Sequence, residues 1–85
     1  MRIIEKATER FALPAEALGG SRIILSGGCH LTIENHRGIL EYSEDFILIA
    51  MKKGQLSVRG SALSLYAIDS ESIVIGGKIL SIELG

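Results

Sequence analysis

Closely spaced turn-forming residue pairs restrict this chain to short secondary-structure elements. From Ser21 onward, residue pairs that suit tight turns recur about every eight residues, and apolar side chains fill alternate positions between them. The pairs are Gly27-Gly28, His36-Arg37, Glu44-Asp45, Lys53-Gly54, Gly60-Ser61, Asp69-Ser70 and Gly76-Gly77. Because a period of two is typical of half-buried strands, the pattern predicts an antiparallel meander of about eight short strands.

The predicted register gathers the aliphatic residues on one face of the sheet. If each pair forms a two-residue loop, Ile24 lies opposite Leu31 and Ile49 lies opposite Val58. The same rule also assigns to this face Ile33, Leu40, Tyr42, Ile47, Met51, Leu56, Leu63, Leu65, Ile73, Ile75 and Leu80. A slip of one residue would turn the whole face to water, so burial favours this register.

An amphipathic meander has to cover its apolar face. Curling into a barrel or folding into a sandwich does so, and we predict an all-β domain of this kind. A short β-solenoid, in which corners replace hairpins, has the same turn spacing and stays as an alternative. A chain of this size buries only about 60% of its unfolded surface. Its apolar content of 47%, mostly aliphatic, compensates in part.

The first 20 residues follow a different period. Apolar residues recur at helical spacing from Ile3 to Phe11, which predicts a short amphipathic helix over Arg2–Ala12. The chain is therefore divided into an N-terminal helical segment, 1–20, and a β domain, 21–85, within one domain overall. A helix this short is unstable alone and must dock on another surface.

Charge and cysteine content exclude several classes of function. The formal net charge is −1 and the basic residues are scattered, whereas nucleic-acid binding draws on a clustered basic surface. Cys29 is the sole cysteine, which excludes an internal disulfide and a multi-cysteine zinc site. No apolar stretch reaches the ~18 residues that suggest a membrane span. The N-terminus lacks the apolar core of a signal peptide, so a cytoplasmic protein is expected.

The chemistry-bearing residues form no recognisable catalytic or metal site. In the predicted hairpin Cys29 and His30 point to opposite faces, while His36 lies at a turn tip, so three metal ligands do not converge. The sequence contains no Gly-x-Ser-x-Gly nucleophile motif, and its glycine pairs do not lie between a strand and a helix as phosphate-binding loops do. We therefore expect no enzymatic activity, no metal and no cofactor.

Two surfaces are candidates for binding a protein. The first is the turn that contains Glu34, His36 and Arg37. The turn itself requires neither His36 nor Arg37, because many other polar residues would serve at its tip. These side chains are therefore candidates for recognition. The second is a later strand that is apolar on both sides and places Phe46 and Leu48 on its outer face. A strand of this kind is covered twice, either by the N-terminal helix or by a second protein.

The run from Leu31 to Leu40 resembles the signature of a known family. Its sequence, Leu-Thr-Ile-Glu-Asn-His-Arg-Gly-Ile-Leu, and above all the hexapeptide Ile33–Gly38, is similar to that of the YabP/YqfC family of sporulation proteins. Weaker agreement in the Gly-x-Leu-x-Val and Ile-x-Ile-x-Gly repeats extends the resemblance from Leu13 to Leu84. The layout is closer to the YqfC branch than to the YabP branch.

The resemblance implies a non-enzymatic role in endospore formation. Members of the family are made in the mother cell and associate with the forespore, where a YqfC-like protein is expected to work as an adaptor with a YqfD-like membrane protein. The interaction surface then consists of the motif residues together with the outer apolar face: Glu34, Asn35, His36, Arg37, Gly38, Phe46 and Leu48.

Two other functions stay open on sequence alone. Open sheet edges are templates for pairing, so one alternative is a homo-oligomer in which copies of the chain stack into a structural polymer associated with sporulation. The third alternative is a small metal protein or enzyme.

Overall fold

The protein is an all-β structure built on one antiparallel sheet, as predicted. The computed structural model describes residues 2–4, 11–13, 20–27 and 29–85, and none of these residues is helical. They form eight strands: β1 (Arg2–Ile4), β2 (Phe11–Leu13), β3 (Arg22–Ser26), β4 (His30–Glu34), β5 (Ile39–Tyr42), β6 (Phe46–Ala50), β7 (Gln55–Ile68) and β8 (Ser72–Leu84).

Two long strands, β7 and β8, support the whole sheet. The strand order is β2-β3-β4-β8-β7-β6-β5, with β1 paired to β8 beside this path. β7 and β8 contain 14 and 13 residues and pair along nearly their whole lengths. The first part of β8 also pairs with β4 and its last part with β1, whereas the first part of β7 pairs with β6. The hairpin therefore joins a β3–β4 half to a β5–β6 half.

The β7–β8 hairpin bends in its middle, and the bend lets the two halves share a core. Its register shifts at Gly60 and again between Ser61 and Ser64. At the second shift Ala62 has a φ of 52°, and Gly77 on the facing strand has a φ of 111°. Bulges of this kind bend a strand and increase its twist. Both halves thus contribute to one buried cluster of Ile23, Leu25, Leu31, Ile33, Ile47, Ile49, Met51, Leu56, Val58, Leu63, Ile73, Ile75, Ile79 and Ile82.

The sheet is folded over but not closed. In the described part of the chain no ladder joins β5 to β2 or to the second part of β7, so the barrel form of the prediction is wrong. All seven ladders between described strands are antiparallel, so the β-solenoid alternative is wrong as well. A single bent sheet that covers its own apolar face is the arrangement observed.

The N-terminal segment forms strands where it is described. At both ends of the predicted helix, Arg2–Ala12, the backbone is extended: β1 pairs with the last part of β8, and β2 pairs with β3. Consecutive β-branched residues such as Ile3-Ile4 favour extended backbone. Residues 5–10 and 14–19, which complete the predicted helical segment, lie outside the described residues.

The predicted alternation is right for the centre of the core. Ile33, Ile49 and Val58 are fully buried, and Tyr42 lies opposite Ile47 as the register required. Since the β6–β7 connection is longer than two residues, its pairs shift by two positions, which keeps the same side chains on the same face.

Three of the predicted hairpins are wrong. The chain runs through Gly60-Ser61 and Gly76-Gly77 without reversing, because both pairs lie inside long strands. At His36-Arg37 it passes from one half of the sheet to the other, since β4 pairs with β3 and β8 instead of β5. Glycine serves bulges as readily as turns, so the two uses look alike in sequence.

Local irregularities also change which residues are buried. Ser26 pairs with His30, one residue more than a two-residue loop allows, and bulges interrupt β5 and the β7–β8 hairpin. Each of these shifts moves the alternation by one position. As a result Ile24 is half-buried, and Leu40 and Leu80, which were predicted to be buried, are exposed. Tyr42 keeps its predicted partner, Ile47, but is exposed as well, because β5 is the last strand of the sheet. Core positions are taken instead by Ile23, Leu25 and Ile79.

Replacing Gly77 with alanine should destabilise the protein more than the same change at Gly38. The two glycines have similar φ values, 111° and 116°, so the backbone penalty of about 1–2 kcal/mol is shared. A Cβ at Gly77 would collide with the Ala62 carbonyl, whereas a Cβ at Gly38 would meet no atom within 4 Å. The collision should add a further ~1–3 kcal/mol. Urea unfolding of both variants measures the difference, and equal losses would contradict the described bend.

Candidate functional site

The crossover segment, Asn35–Gly38, connects the two halves of the sheet. β4 ends at Glu34 in the β3–β4 half, and β5 begins at Ile39 in the β5–β6 half. The segment therefore occupies the place where the chain changes halves, and the hexapeptide that suggested the family lies across it. Four of the seven predicted interaction residues belong to this segment.

Asn35 fixes the start of the crossover segment. Its φ of 62° is a left-handed conformation that asparagine tolerates better than most residues. Its side-chain Nδ2 donates to the Gly20 carbonyl at 2.8 Å, and its own carbonyl accepts from the fully buried Ser21 hydroxyl at 3.0 Å. Its backbone N–H donates to the Glu71 carbonyl. Asn35 thereby ties the segment before β3 to the β7–β8 turn.

His36 is a buried connector, in contrast to the exposed turn position that the sequence predicted. Only 8% of the residue is accessible. Its Nδ1 accepts the N–H of Gly38 at 2.9 Å, so Nε2 carries the proton and donates to the Asp69 carbonyl at 2.8 Å. Both ring nitrogens are thus engaged, and the expectation that many polar residues would serve at this position is wrong.

Arg37 joins the segment to β6 through its backbone and leaves its side chain exposed. The Arg37 N–H donates to the Ala50 carbonyl at 2.7 Å, and the Ala50 N–H donates to the Gly38 carbonyl at 2.8 Å. The Arg37 side chain is exposed. Within the described ranges no carboxylate forms a salt bridge with its guanidinium.

Asp69 shapes the β7–β8 turn that receives the His36 bond. Its Oδ1 accepts the N–H groups of Ser72 at 2.7 Å and Glu71 at 2.8 Å. These backbone hydrogen bonds, from Ser72 first and Glu71 second, lower the pKa of the Asp69 carboxyl below its ordinary value of 3.8. An aspartate that accepts backbone N–H groups two and three residues later is a common turn device.

Two open clefts border the crossover segment, and their charges differ. The first has a volume of about 290 Å³, and its charged lining residues are Arg37, Lys52 and Glu71. The second has a volume of about 300 Å³ and is lined by Glu34, Asp69 and Glu71. The first cleft therefore has more basic than acidic groups, and the charged groups of the second are all carboxylates.

Among the predicted interaction residues, Glu34 flanks the crossover segment and lines the acidic cleft. It lies opposite Arg22 in the β3–β4 ladder, and the two side chains form an exposed pair with an N–O distance of 3.8 Å. Exposed pairs of this kind contribute little to stability, about 0–1 kcal/mol. Glu34 is therefore available to a second charged group.

Phe46 and Leu48 lie on β6, away from the crossover segment. Both are half-buried, and the Phe46 ring lies 4.7 Å from the Arg59 guanidinium on the neighbouring strand. The segment contacts β6 at Ala50, so Phe46 is about 13 Å away along the strand. The structure thus separates the two predicted surfaces instead of merging them.

The remaining titratable residues form no larger grouping. The Sγ of Cys29 lies 3.4 Å from Nδ1 of His30 at the exposed β3–β4 loop. Over the ranges that are described, no three His, Cys, Asp or Glu residues come together in a way that could hold a metal ion. The described residues contain no helix long and apolar enough to cross a membrane.

Sequence reasoning did not identify three residues that complete the site. Ser21 is buried beneath Asn35, Asp69 receives His36, and Lys52 lines the basic cleft. The Asp-Ser-Glu-Ser run from position 69 is typical of an aspartate-capped turn, so Asp69 was open to prediction. Ser21 and Lys52 come from segments that only the fold brings close.

The fold and the crossover segment define the chain as a small all-β domain, and its sequence assigns it to a family. It belongs to the YabP family, whose sequence model matches residues 18–85, and the predicted resemblance is thereby confirmed. The chain is 40% identical over 58 residues to the uncharacterized protein YqfC of Bacillus subtilis strain 168. That alignment covers 68% of this chain and 62% of the relative. No solved structure is significantly similar to the chain.

Replacing His36 with leucine should lower the free energy of unfolding by about 1–3 kcal/mol. The leucine side chain fills the buried site, but the Gly38 N–H and the Asp69 carbonyl lose their hydrogen-bond partner. Arg37→Ala is the matched control, since its side chain is exposed and its backbone bonds persist. Chemical denaturation measures both variants, and a His36→Leu loss as small as that of Arg37→Ala would contradict the connector role.

Asp69 should make the folded protein sensitive to acid. Its pKa is depressed in the folded state, so its contribution to stability is complete above the unfolded pKa of about 4 and is lost as the pH falls through the lower folded value. Between about pH 4 and pH 2, stability should therefore fall more steeply for the wild type than for Asp69→Asn. Urea midpoints across this range test the difference, and parallel curves would refute it.

Proposed function

We propose that this chain is a non-enzymatic adaptor in endospore formation, which acts in the mother cell and binds a YqfD-like membrane protein at the forespore. Membership of the YabP family supports the sporulation role. The chain spans about 62% of the length of the curated relative it matches, so the proposal concerns the domain described here. The crossover segment supplies the contact surface.

The observation that carries the proposal is the unequal use of the crossover residues. Asn35 and His36 use their side chains for internal hydrogen bonds, and Gly38 has a backbone conformation that suits glycine. Asn35 and Arg37 are both exposed, but only the Arg37 side chain makes no hydrogen bond or ion pair with the part of the chain that the structure describes. A rigid segment that holds one arginine outward suits recognition, because arginine is enriched among residues that dominate binding energy.

The surroundings of Arg37 favour an acidic group on the partner. Lys52 lines the same cleft, so two cations are available to one carboxylate. Arginine binds carboxylates in a bidentate manner, which gives geometric specificity as well as energy. The carboxylates of the neighbouring cleft would repel a partner that docked in the opposite orientation.

The outer face of β6 supplies a second contact in this proposal. Phe46 and Leu48 are half-buried, so each keeps apolar surface that a partner can cover. Because Phe46 lies about 13 Å from the crossover contact, a partner that touches both surfaces must extend across β6. The two contacts can therefore be removed separately.

Copurification of the YqfD-like membrane protein from the same host, solubilised in detergent, tests the proposal. Arg37→Ala should weaken the complex about tenfold or more, equivalent to ~1.4 kcal/mol, and Phe46→Glu should weaken it independently. Lys78→Ala removes an exposed cation on β8 and serves as the control. Retention of the partner by folded Arg37→Ala and Phe46→Glu variants would refute the proposed surfaces.

The sporulation role is tested separately from the contact surface. Deletion of the gene in its host should reduce the yield of heat-resistant spores, and a fluorescent fusion of the chain should gather at the forespore. A normal spore yield would reject the role even if the complex forms.

A self-assembling structural subunit is the second candidate. It is favoured by the open edges of β5 and of the second part of β7, since unpaired edges are templates for pairing. This function requires association that depends on the concentration of the chain alone, which the adaptor does not.

A further inference from the structure

The folded-over sheet stops one ladder short of closure, and the gap has a defined position. His36 binds the Asp69 carbonyl, and the Leu63 N–H donates to the Glu44 carbonyl at 2.8 Å. Position 36 thus lies near position 69, and position 44 lies near position 63. Because residue numbers rise along β5 while those of its neighbours on β7 fall, β5 runs antiparallel to Ser64–Ile68. No ladder between these two stretches is formed by the described residues. We call the space between them the seam.

A tyrosine hydroxyl occupies the seam in place of a backbone carbonyl. The Leu65 N–H donates to Oη of Tyr42 at 3.2 Å. The Tyr42 side chain thus reaches the β7 backbone where a paired strand would place a carbonyl. The bond also shows that an N–H of β7 is directed away from β8 and into the seam. Among the described strands, β7 pairs only with β8 over this stretch, so its other edge forms no ladder with them.

The seam is also where large apolar side chains are exposed. Among the described residues five large hydrophobic side chains are exposed, and three of them border the seam: Leu40 at 51%, Tyr42 at 48% and Ile68 at 53%. A fourth, Tyr66, is directed away from the seam, because its ring packs over Gly76 on β8 and lies 5.2 Å from the His30 ring on β4. The fifth, Leu80, lies on β8 and is 42% exposed. Strand addition uses both features. The free strand edge supplies main-chain hydrogen bonds for affinity, and the apolar side chains beside it supply specificity.

The charges along the seam give it a direction. The end marked by Asp69 carries charges of both signs, because Arg37 and Lys52 line the same cleft as Glu71. The exposed Glu41 and Glu44 lie toward the end marked by Leu63, which is therefore acidic. Antiparallel pairing is slightly more stable per residue than parallel pairing. A strand added antiparallel to β7 would finish at this acidic end.

We propose that the seam accepts an extended segment of a partner protein, which pairs antiparallel with Ser64–Ile68 and displaces the Tyr42 hydroxyl from Leu65. The segment carries alternating apolar residues and a basic residue at its C-terminal end, which meets Glu41 and Glu44. This surface is distinct from the crossover contact, and the inference does not rest on the adaptor function.

A blocked heptapeptide tests the proposal with the purified chain alone. The peptide ends in lysine and has alternating valine and threonine before it. In a titration followed by ¹⁵N-NMR, the amide signals of β5 and of Ser64–Ile68 should shift. The same peptide N-methylated at alternate residues should cause no shift, and a peptide with glutamate in place of the lysine should bind several-fold more weakly.

Two lysine substitutions provide the matched variants. Leu40→Lys combined with Ile68→Lys should weaken binding at least tenfold, whereas Leu80→Lys, an equally exposed position outside the seam, should leave it unchanged. Absence of shifts at millimolar peptide, shifts elsewhere, or equal effects of both variants would overturn the proposal. Sedimentation showing that the wild type is a dimer, and that Leu40→Lys with Ile68→Lys is a monomer, would also overturn it by assigning the seam to a second copy.

Discussion

Burial of a single aliphatic face by a sheet that does not close is the constraint on which the structure depends. The core draws on both halves, so each half covers the apolar face of the other. Bending the β7–β8 hairpin brings the halves together, and a left-handed residue lies at the bend on each strand, Ala62 and Gly77. The crossover segment then has to bring the chain from one half to the other. Its hydrogen bonds therefore serve the fold before they serve a binding site.

Much of the architecture could be predicted because it follows from a period of two. The alternation that buries Ile33, Ile49 and Val58 is visible in the sequence, and hydrophobic burial leaves little choice of face. The long strands could not be predicted, because Gly76-Gly77 satisfies a bulge as well as it satisfies a turn. Once two turns become bulges, the partners of β4 and β5 change, and with them the exposure of Leu40 and Leu80.

The structural roles of the candidate residues could not be predicted from the sequence. The hexapeptide drew attention to the segment that joins the two halves, and Arg37 is exposed there. His36 was misjudged because its partner, Asp69, is 33 positions away, and no local rule relates the two. A short motif in one sequence does not separate residues that hold the fold from residues that face a partner. Hydrogen-bond geometry separates them here.

The position of β8 between the two halves has a consequence for biosynthesis. β8 is the last of the described strands to leave the ribosome, yet β1, β4 and β7 all pair with it. β5, β6 and β7 can pair with one another before then, whereas the β3–β4 half stays without its neighbour until β8 is made. Such non-local topologies fold slowly and expose unpaired strand edges in the meantime. The β3–β4 half is therefore the part of the described sheet that stays open to aggregation longest during synthesis.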